Sequence, residues 1–317
     1  MSLCLVHLVW APAGAAPLDA FVDTYERHPA GVDHELVLVC NGFDGREDAH
    51  AAVARAAPHA AAIIVLDVPV VDIAAYAAAA QAVGHELLCC VNSYGRILAD
   101  GWLAKLVGPV RDGDSALAGS SASYASLLSL AAFQAGLPSA YGRILRPLER
   151  PAEGLRELEL QQAAASPGGH RGAGMRRLAH VRSLRRLMVG FSRFPAHHIR
   201  TNAFAVRRDL FLHAGSGRVR DKVDAWRFES GSRSLTRAAT RAGRPPLVVG
   251  ADGEVYPPEQ WPHSATFWQD DQENLLVADN QTRLYDEGDV GRRELLARLA
   301  WGPEARPAPP RSVSARR

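Results

Sequence analysis

The sequence has no glycine-rich phosphate fingerprint, no metal-finger cysteine spacing, no long apolar run and almost no net charge, and each absence removes a class of protein. Across 317 residues, Lys and Arg number 36 against 34 Asp and Glu, a formal charge of +2. So even a balance argues against a nucleic-acid binder and against an acidic, solvating chain. Four cysteines, Cys4, Cys40, Cys89 and Cys90, lie inside apolar runs. They match no zinc pattern and read as small core residues, the adjacent pair pointing to opposite faces of a strand. No apolar run reaches the roughly 18 residues that cross a bilayer. The first ten residues lack a basic leader region, and Leu3 to Trp10 is followed directly by a Pro/Gly/Ala loop. The expectation is a cytoplasmic protein, with peripheral association at the inner membrane face left open.

What is present is a repeated unit. Apolar runs at Leu3–Val9, Glu35–Cys40, Ala61–Leu66 and Glu86–Val91 alternate with helical stretches at Leu18–Arg27, Glu47–Ala57 and Ile73–Val83. Short continuous apolar strands alternating with helices predict an α/β fold with a mostly parallel sheet covered on both faces. In such sheets ligands bind beyond the carboxyl ends of the strands. Those ends carry Asn41 with Asp44, then Asp67, then Asn92 with Ser93. The turn after the first strand, Ala11 to Pro17, supplies only Gly14 and no G-x-G-x-x-G, which argues against a dinucleotide-dependent dehydrogenase.

Farther along, a helix is expected from a cap at Asp100, a strand at Ser115–Gly119, strand then helix at Thr201–Leu212, and a helix from Glu229 to Ala242. Between them, residues 147–192 are rich in Arg, Ala and Gln, with a break at Ser166-Pro-Gly-Gly169, and read as a partly helical insertion. Arg171, Arg176, Arg177, Arg182, Arg185 and Arg186 crowd it. They make either a solvated helix face or a contact to anionic lipid or a diphosphate-bearing acceptor. The Pro-, Ser- and Arg-rich tail from Gly302 to Arg317 is expected to be disordered.

In their order, Val71-Asp72-Ile73-Ala74-Ala75-Tyr76, Cys90-Val91-Asn92-Ser93-Tyr94 and Arg200-Thr201-Asn202-Ala203-Phe204 resemble the GT-A fold glycosyltransferases, in particular bacterial enzymes related to family 2 and to rhamnan-synthesis proteins. The resemblance covers roughly residues 3 to 300. It implies one Rossmann-like domain over 1–301, with a donor half at about 1–120, the basic insertion at about 147–192 and an acceptor half at about 193–301. The partners it implies are a nucleoside diphosphate sugar and a glycan, lipid-linked or small-molecule acceptor. Family enzymes hold the diphosphate through Mg²⁺ or Mn²⁺ on an Asp-x-Asp motif. Here Asn92-Ser93-Tyr94 stands at that strand end without a carboxylate, and the literal Asp112-Gly113-Asp114 reads as a turn. His263 is then the candidate metal ligand.

An inverting transfer needs a base for the acceptor hydroxyl and a group to stabilise the leaving diphosphate. Glu229, taken as lying at a helix start, is the candidate base and Asp224 the alternative. Arg200, Arg233 and Arg237 offer charge suited to bidentate phosphate contact. His198, Thr201 and Asn202 complete the candidate acceptor side; His197, its neighbour, cannot face the same pocket from a strand. Asn41, Asp44, Asp67, Asp72, Asn92 and Ser93 are the candidate donor contacts. Two rivals share this sheet and its phosphate chemistry: a non-catalytic scaffold binding a nucleotide or polysaccharide, and a nucleotidyltransferase.

Overall fold

The computed structural model describes residues 1–149, 151–164 and 190–307. The chain begins with β1 (Leu3–Trp10), α1 (Ala16–Arg27), β2 (Glu35–Asn41), α2 (Arg46–Ala52), β3 (Ala60–Val65), α3 (Asp72–Ala82) and β4 (Leu87–Val91). There follow β5 (Arg96–Ile97), α4 (Trp102–Arg111), β6 (Leu117–Gly119), β7 (Ala122–Ser123), α5 (Leu127–Gln134), α6 (Tyr141–Ile144) and α7 (Pro151–Ala164). The last strands are β8 (His198–Ile199), β9 (Ala203–Arg207), β10 (Leu247–Val249), β11 (Val255–Tyr256) and β12 (Val277–Ala278). Helices at Arg208–His213, Lys222–Ser230, Leu235–Arg241, Asn280–Asp286 and Val290–Trp301 accompany them.

Eight strands form one sheet in the order β11-β10-β6-β9-β4-β1-β2-β3, and the fold is α/β as expected. β1 pairs in parallel with β2 and β4, β2 with β3, and β6 with β10, whereas β9 runs antiparallel to both β4 and β6. The apolar runs are continuous because helices cover both faces. Val6, Val39, Cys90 and Phe204 pack with α3 on one side, and Leu5, Leu38, Cys89 and Ala205 pack with α1 and α4 on the other. Cys89 and Cys90 therefore do face opposite ways, and all four thiols are buried and free. β3 departs from the pattern: it is the sheet's edge strand and is only partly covered.

Several boundaries differ from the sequence reading. Gly101, not Asp100, occupies the N-cap of α4, and Asp100 instead meets His28 Nδ1 at 2.7 Å. The expected helix from Glu229 to Ala242 is two helices, Lys222–Ser230 and Leu235–Arg241, because Gly231 interrupts it and Ser234 caps a new start through Arg237 N–H. Of the tail, residues 302–307 are held: Arg306 N–H donates to Gln269 Oε1 and its guanidinium meets Asp270 at 2.9 Å. The remainder, 308–317, lies outside the described residues, as do the break at 166–169 and the clustered arginines of 171–186. No helix among the described residues is long and apolar enough to cross a membrane.

Candidate functional site

Parallel pairing brings the carboxyl ends of β1, β2, β3, β4, β6 and β10 to one edge, and the reversal of β9 puts its amino end there too. Thr201 and Asn202 thus sit between the ends of β4 and β6: Asn92 N–H donates to Asn202 O (2.8 Å) and Ser120 N–H to Ala203 O (3.0 Å). Asn202 Oδ1 accepts from Ser121 Oγ at 3.0 Å, while its buried Nδ2 has no partner among the described residues. Asn92 closes its own turn by accepting from Tyr94 N–H at 3.1 Å.

Arg200 is the most heavily fixed group at this edge. Its guanidinium donates to Asp279 Oδ2 (2.7 Å) and Ser121 Oγ (3.2 Å) and lies 4.0 Å from the centre of the Phe267 ring. Both partners of the ion pair are buried, the side chains 10% and 2% exposed. Asp279 is also the N-cap of the helix Asn280–Asp286, accepting from Thr282 N–H while its own N–H donates to Thr282 Oγ1. Phe267 arrives on a loop in which Ala265, Trp268, Asp270 and Gln272 all have positive φ, near 50°. Such backbone persists only when its surroundings over-determine it. Here Gln269 bonds Pro262 O and Glu304 O, and Gln272 bonds Trp268 N–H and Thr282 O.

Glu229 lies in the last turn of Lys222–Ser230, the end opposite to the one expected. A carboxylate there opposes the helix dipole. Its Oε1 instead accepts from Thr201 N–H at 2.9 Å, which ties it to the strand-end cluster. His198 is close by and buried, with Nδ1 2.7 Å from Ala196 O. Burial holds this imidazole below its usual range, the Glu229 carboxylate pulling the other way. His197 turns aside onto Tyr124, with ring centres 4.2 Å apart.

The other candidates divide. Asn41 is at the right edge, but its amide is consumed internally, donating to Val70 O (2.7 Å) and accepting from Val70 N–H (3.0 Å). It pins the loop before α3 and is not free to hold a donor. Asp44 and Asp67 are exposed. Asp72 is the first residue of α3, accepts from Ile73 N–H at 3.0 Å and lies 4.0 Å from Lys222. Ser93 is buried and, with Trp10, Gly14 and Pro17, lines a shallow surface dip at the end of β1. Asp224 is not brought to the cluster: it stands in the first turn of its helix, paired with Arg227 (3.2 Å). Arg233 is exposed, and Arg237 is exposed close enough to His197 to help lower it. His263 is exposed on a surface turn, 3.9 Å from Glu304. Among the described residues no group of three His, Cys, Asp or Glu could hold a metal ion. Phe267, one of the aromatics that with Trp261 and Trp268 could stack on a sugar or close the core, is buried here under Arg200; Ser121 and Asp279 carry no such reading, although the Asp279-x-x-Thr282 cap is a visible signal.

No family model matches the chain, and no curated protein does. It is similar to solved structures at low identity. One is the mannosyltransferase PcManGT from Pyrobaculum calidifontis in complex with GDP-Man and Mn²⁺ (16% identity, 37% of this chain and 34% of that one, TM-score 0.31). Another is S. aureus TarS 1-349 in complex with UDP-GlcNAc (10% identity, 38% and 34%, TM-score 0.30). A third is glucosyl-3-phosphoglycerate synthase from Mycobacterium tuberculosis with Mn²⁺ and UDP (15% identity, 66% and 57%, TM-score 0.32). The matched part spans about a third of the first two chains. At these scores the likeness adds nothing to what the residues themselves say.

Proposed function

We propose that this chain is a GT-A-type glycosyltransferase of one domain over 1–301, moving a sugar from a nucleoside diphosphate sugar to a glycan, lipid-linked or small-molecule acceptor. The observation that carries the reading is the Glu229 carboxylate fixed on Thr201 N–H at the edge where the parallel strands end. The next residue, Asn202, is held through Oδ1 by Ser121, and its Nδ2 has no partner among the described residues. A carboxylate so placed can take the proton of an acceptor hydroxyl. Arg200 is already neutralised by Asp279, and of the three arginines proposed for a departing diphosphate Arg233 and Arg237 are exposed.

A divalent metal does not fit this residue set. The strand end offers Asn92 and Ser93, and no cluster of three acidic or histidine ligands forms among the described residues, His263 included, although Glu304 and Asp270 lie near it. Titration calorimetry with UDP, GDP and dTDP, with and without chelator, tests the reading. Binding of one nucleotide that survives chelation is expected. Glu229→Gln should then lower turnover by about 10²- to 10⁴-fold and leave nucleotide affinity nearly unchanged. Retained turnover would remove Glu229 from the role. A second reading, a non-catalytic scaffold of the same fold, is favoured by the internal use of Asn41 and Arg200. It is distinguished by nucleotide or polysaccharide binding without transfer from any donor.

A further inference from the structure

Positive charge exceeds negative charge beside the Asn92-Ser93-Tyr94 turn at the end of β4. The turn closes with Gly95 N–H donating to Asn92 O (3.0 Å), and only glycine fits there, since a Cβ would lie 2.3 Å from Val91 Cγ1. It delivers Arg96 to β5, where Arg96 stands opposite Ala278 of β12. The residue after Ala278 is Asp279, the cap of the helix Asn280–Asp286. One turn into that helix, Arg283 reaches back to Tyr94 O at 3.2 Å. Two separate stretches of chain thus bring an arginine each to the same turn.

The carboxylates nearby do not neutralise them. Asp279 is committed to Arg200 at 2.7 Å and to the helix cap, and Glu287, one turn beyond Arg283, is exposed. Among the described residues neither Arg96 nor Arg283 is in an ion pair. Arg96 is exposed and Arg283 half-buried. Burial first, and then Arg96, hold the Arg283 guanidinium below its usual range, with Asp279, Glu287 and Tyr94 pulling the other way. Like charges brought together in a half-buried place oppose one another until an anion joins them. We propose that Arg96 and Arg283 hold the diphosphate of a nucleoside diphosphate sugar, in place of a divalent metal. Guanidinium groups match phosphate oxygens in geometry and keep their charge at any physiological pH. For the identity of the ligand this rests on the glycosyl-transfer reading; the surplus of charge does not.

The test is calorimetric titration of the full chain with pyrophosphate and with UDP, GDP and dTDP, all in chelator. Pyrophosphate binding that weakens with added salt and competes with one nucleotide is expected. Arg96→Gln should weaken both about tenfold, the worth of a charge-assisted hydrogen bond, and Arg283→Gln should act likewise. Arg96→Lys should weaken them less, because the charge stays and only the fork is lost. Without ligand, Arg96→Gln should melt no lower than the parent, since a like charge has gone, and pyrophosphate should raise its melting temperature less than the parent's. Those two melting curves separate a lost anion site from a damaged fold. The proposal is overturned if neither pyrophosphate nor a nucleotide binds in chelator, or if the two bind together without competing. Nucleotide binding that Arg96→Gln leaves intact overturns the arginine pair and spares glycosyl transfer. Pyrophosphate binding lost in Arg96→Gln, with no nucleotide bound by the parent, upholds the pair as a phosphate site and removes the nucleotide donor.

Discussion

Removing the charge of Asp279 should destabilise the protein more than any other single substitution at the strand-end edge. The carboxylate does two jobs: Oδ2 holds Arg200 and Oδ1 caps the helix Asn280–Asp286. Losing a cap costs about 1 kcal/mol. Stranding a buried guanidinium costs about 3–5 kcal/mol, because the cation keeps its desolvation penalty and loses its counter-charge. Asp279→Ala should therefore cost about 4–6 kcal/mol. Asp279→Asn keeps an oxygen for Thr282 N–H and should cost closer to 3 kcal/mol. Arg200→Met on the Asp279→Asn background should restore much of that, since no unpaired charge is then buried. Urea unfolding followed by fluorescence, with the slope held constant, reads all three. A cost below about 1 kcal/mol for Asp279→Asn would refute the reasoning, as it would mean that water already solvates Arg200.

Two further expectations rest on buried groups far from that pair. His7, stacked on Phe21 with both ring nitrogens unpartnered, is held down to about 3 by burial. The unfolded chain then takes up a proton that the native state refuses. Stability should thus be full above about pH 6.5 and fall by about 1.4 kcal/mol per pH unit below it, and His7→Leu should flatten the slope of stability against pH in urea titrations at pH 5 and pH 8. Cys40 is pushed up to about 11 and Cys4 to about 12, also by burial. Native protein should therefore react with a thiol reagent only as fast as it unfolds, and rapid labelling of any of the four would show that a strand is open.

The parts of the fold legible in the sequence are those that depend on local pattern. β1, β2 and β4 are continuous apolar runs because both their faces are covered, and a run that ends in a polar residue marks the edge. The reversal of β9 is not local. Ala203–Arg207 reads as a strand in either direction, and only its pairing with β4 and β6 shows that Thr201 and Asn202 enter the edge rather than leave it. Arg200 and Asp279 are 79 positions apart, so nothing in either neighbourhood announces the pair. Glu229 was misplaced for a different reason. The segment Glu229-Ser-Gly-Ser reads as a helix start, whereas Asp221, three residues before Asp224, supplies the cap, and Gly231 ends the helix that follows from it.

These differences change which residues are available for chemistry. A polar residue at a strand end has first to satisfy the backbone groups exposed where the sheet stops. Asn41 spends its amide on Val70, Asn92 on Tyr94, and Arg200 neutralises Asp279. Among the described residues, Asn202 Nδ2 and Ser120 Oγ are buried at this edge without partners, and a Glu229 carboxylate has one oxygen fixed by Thr201. Glu229, half-buried and fixed by Thr201 N–H, supplies the carboxylate that can accept from an incoming hydroxyl. On the proposed function the chemistry falls at the start of the reversed strand rather than at the ends of the parallel ones.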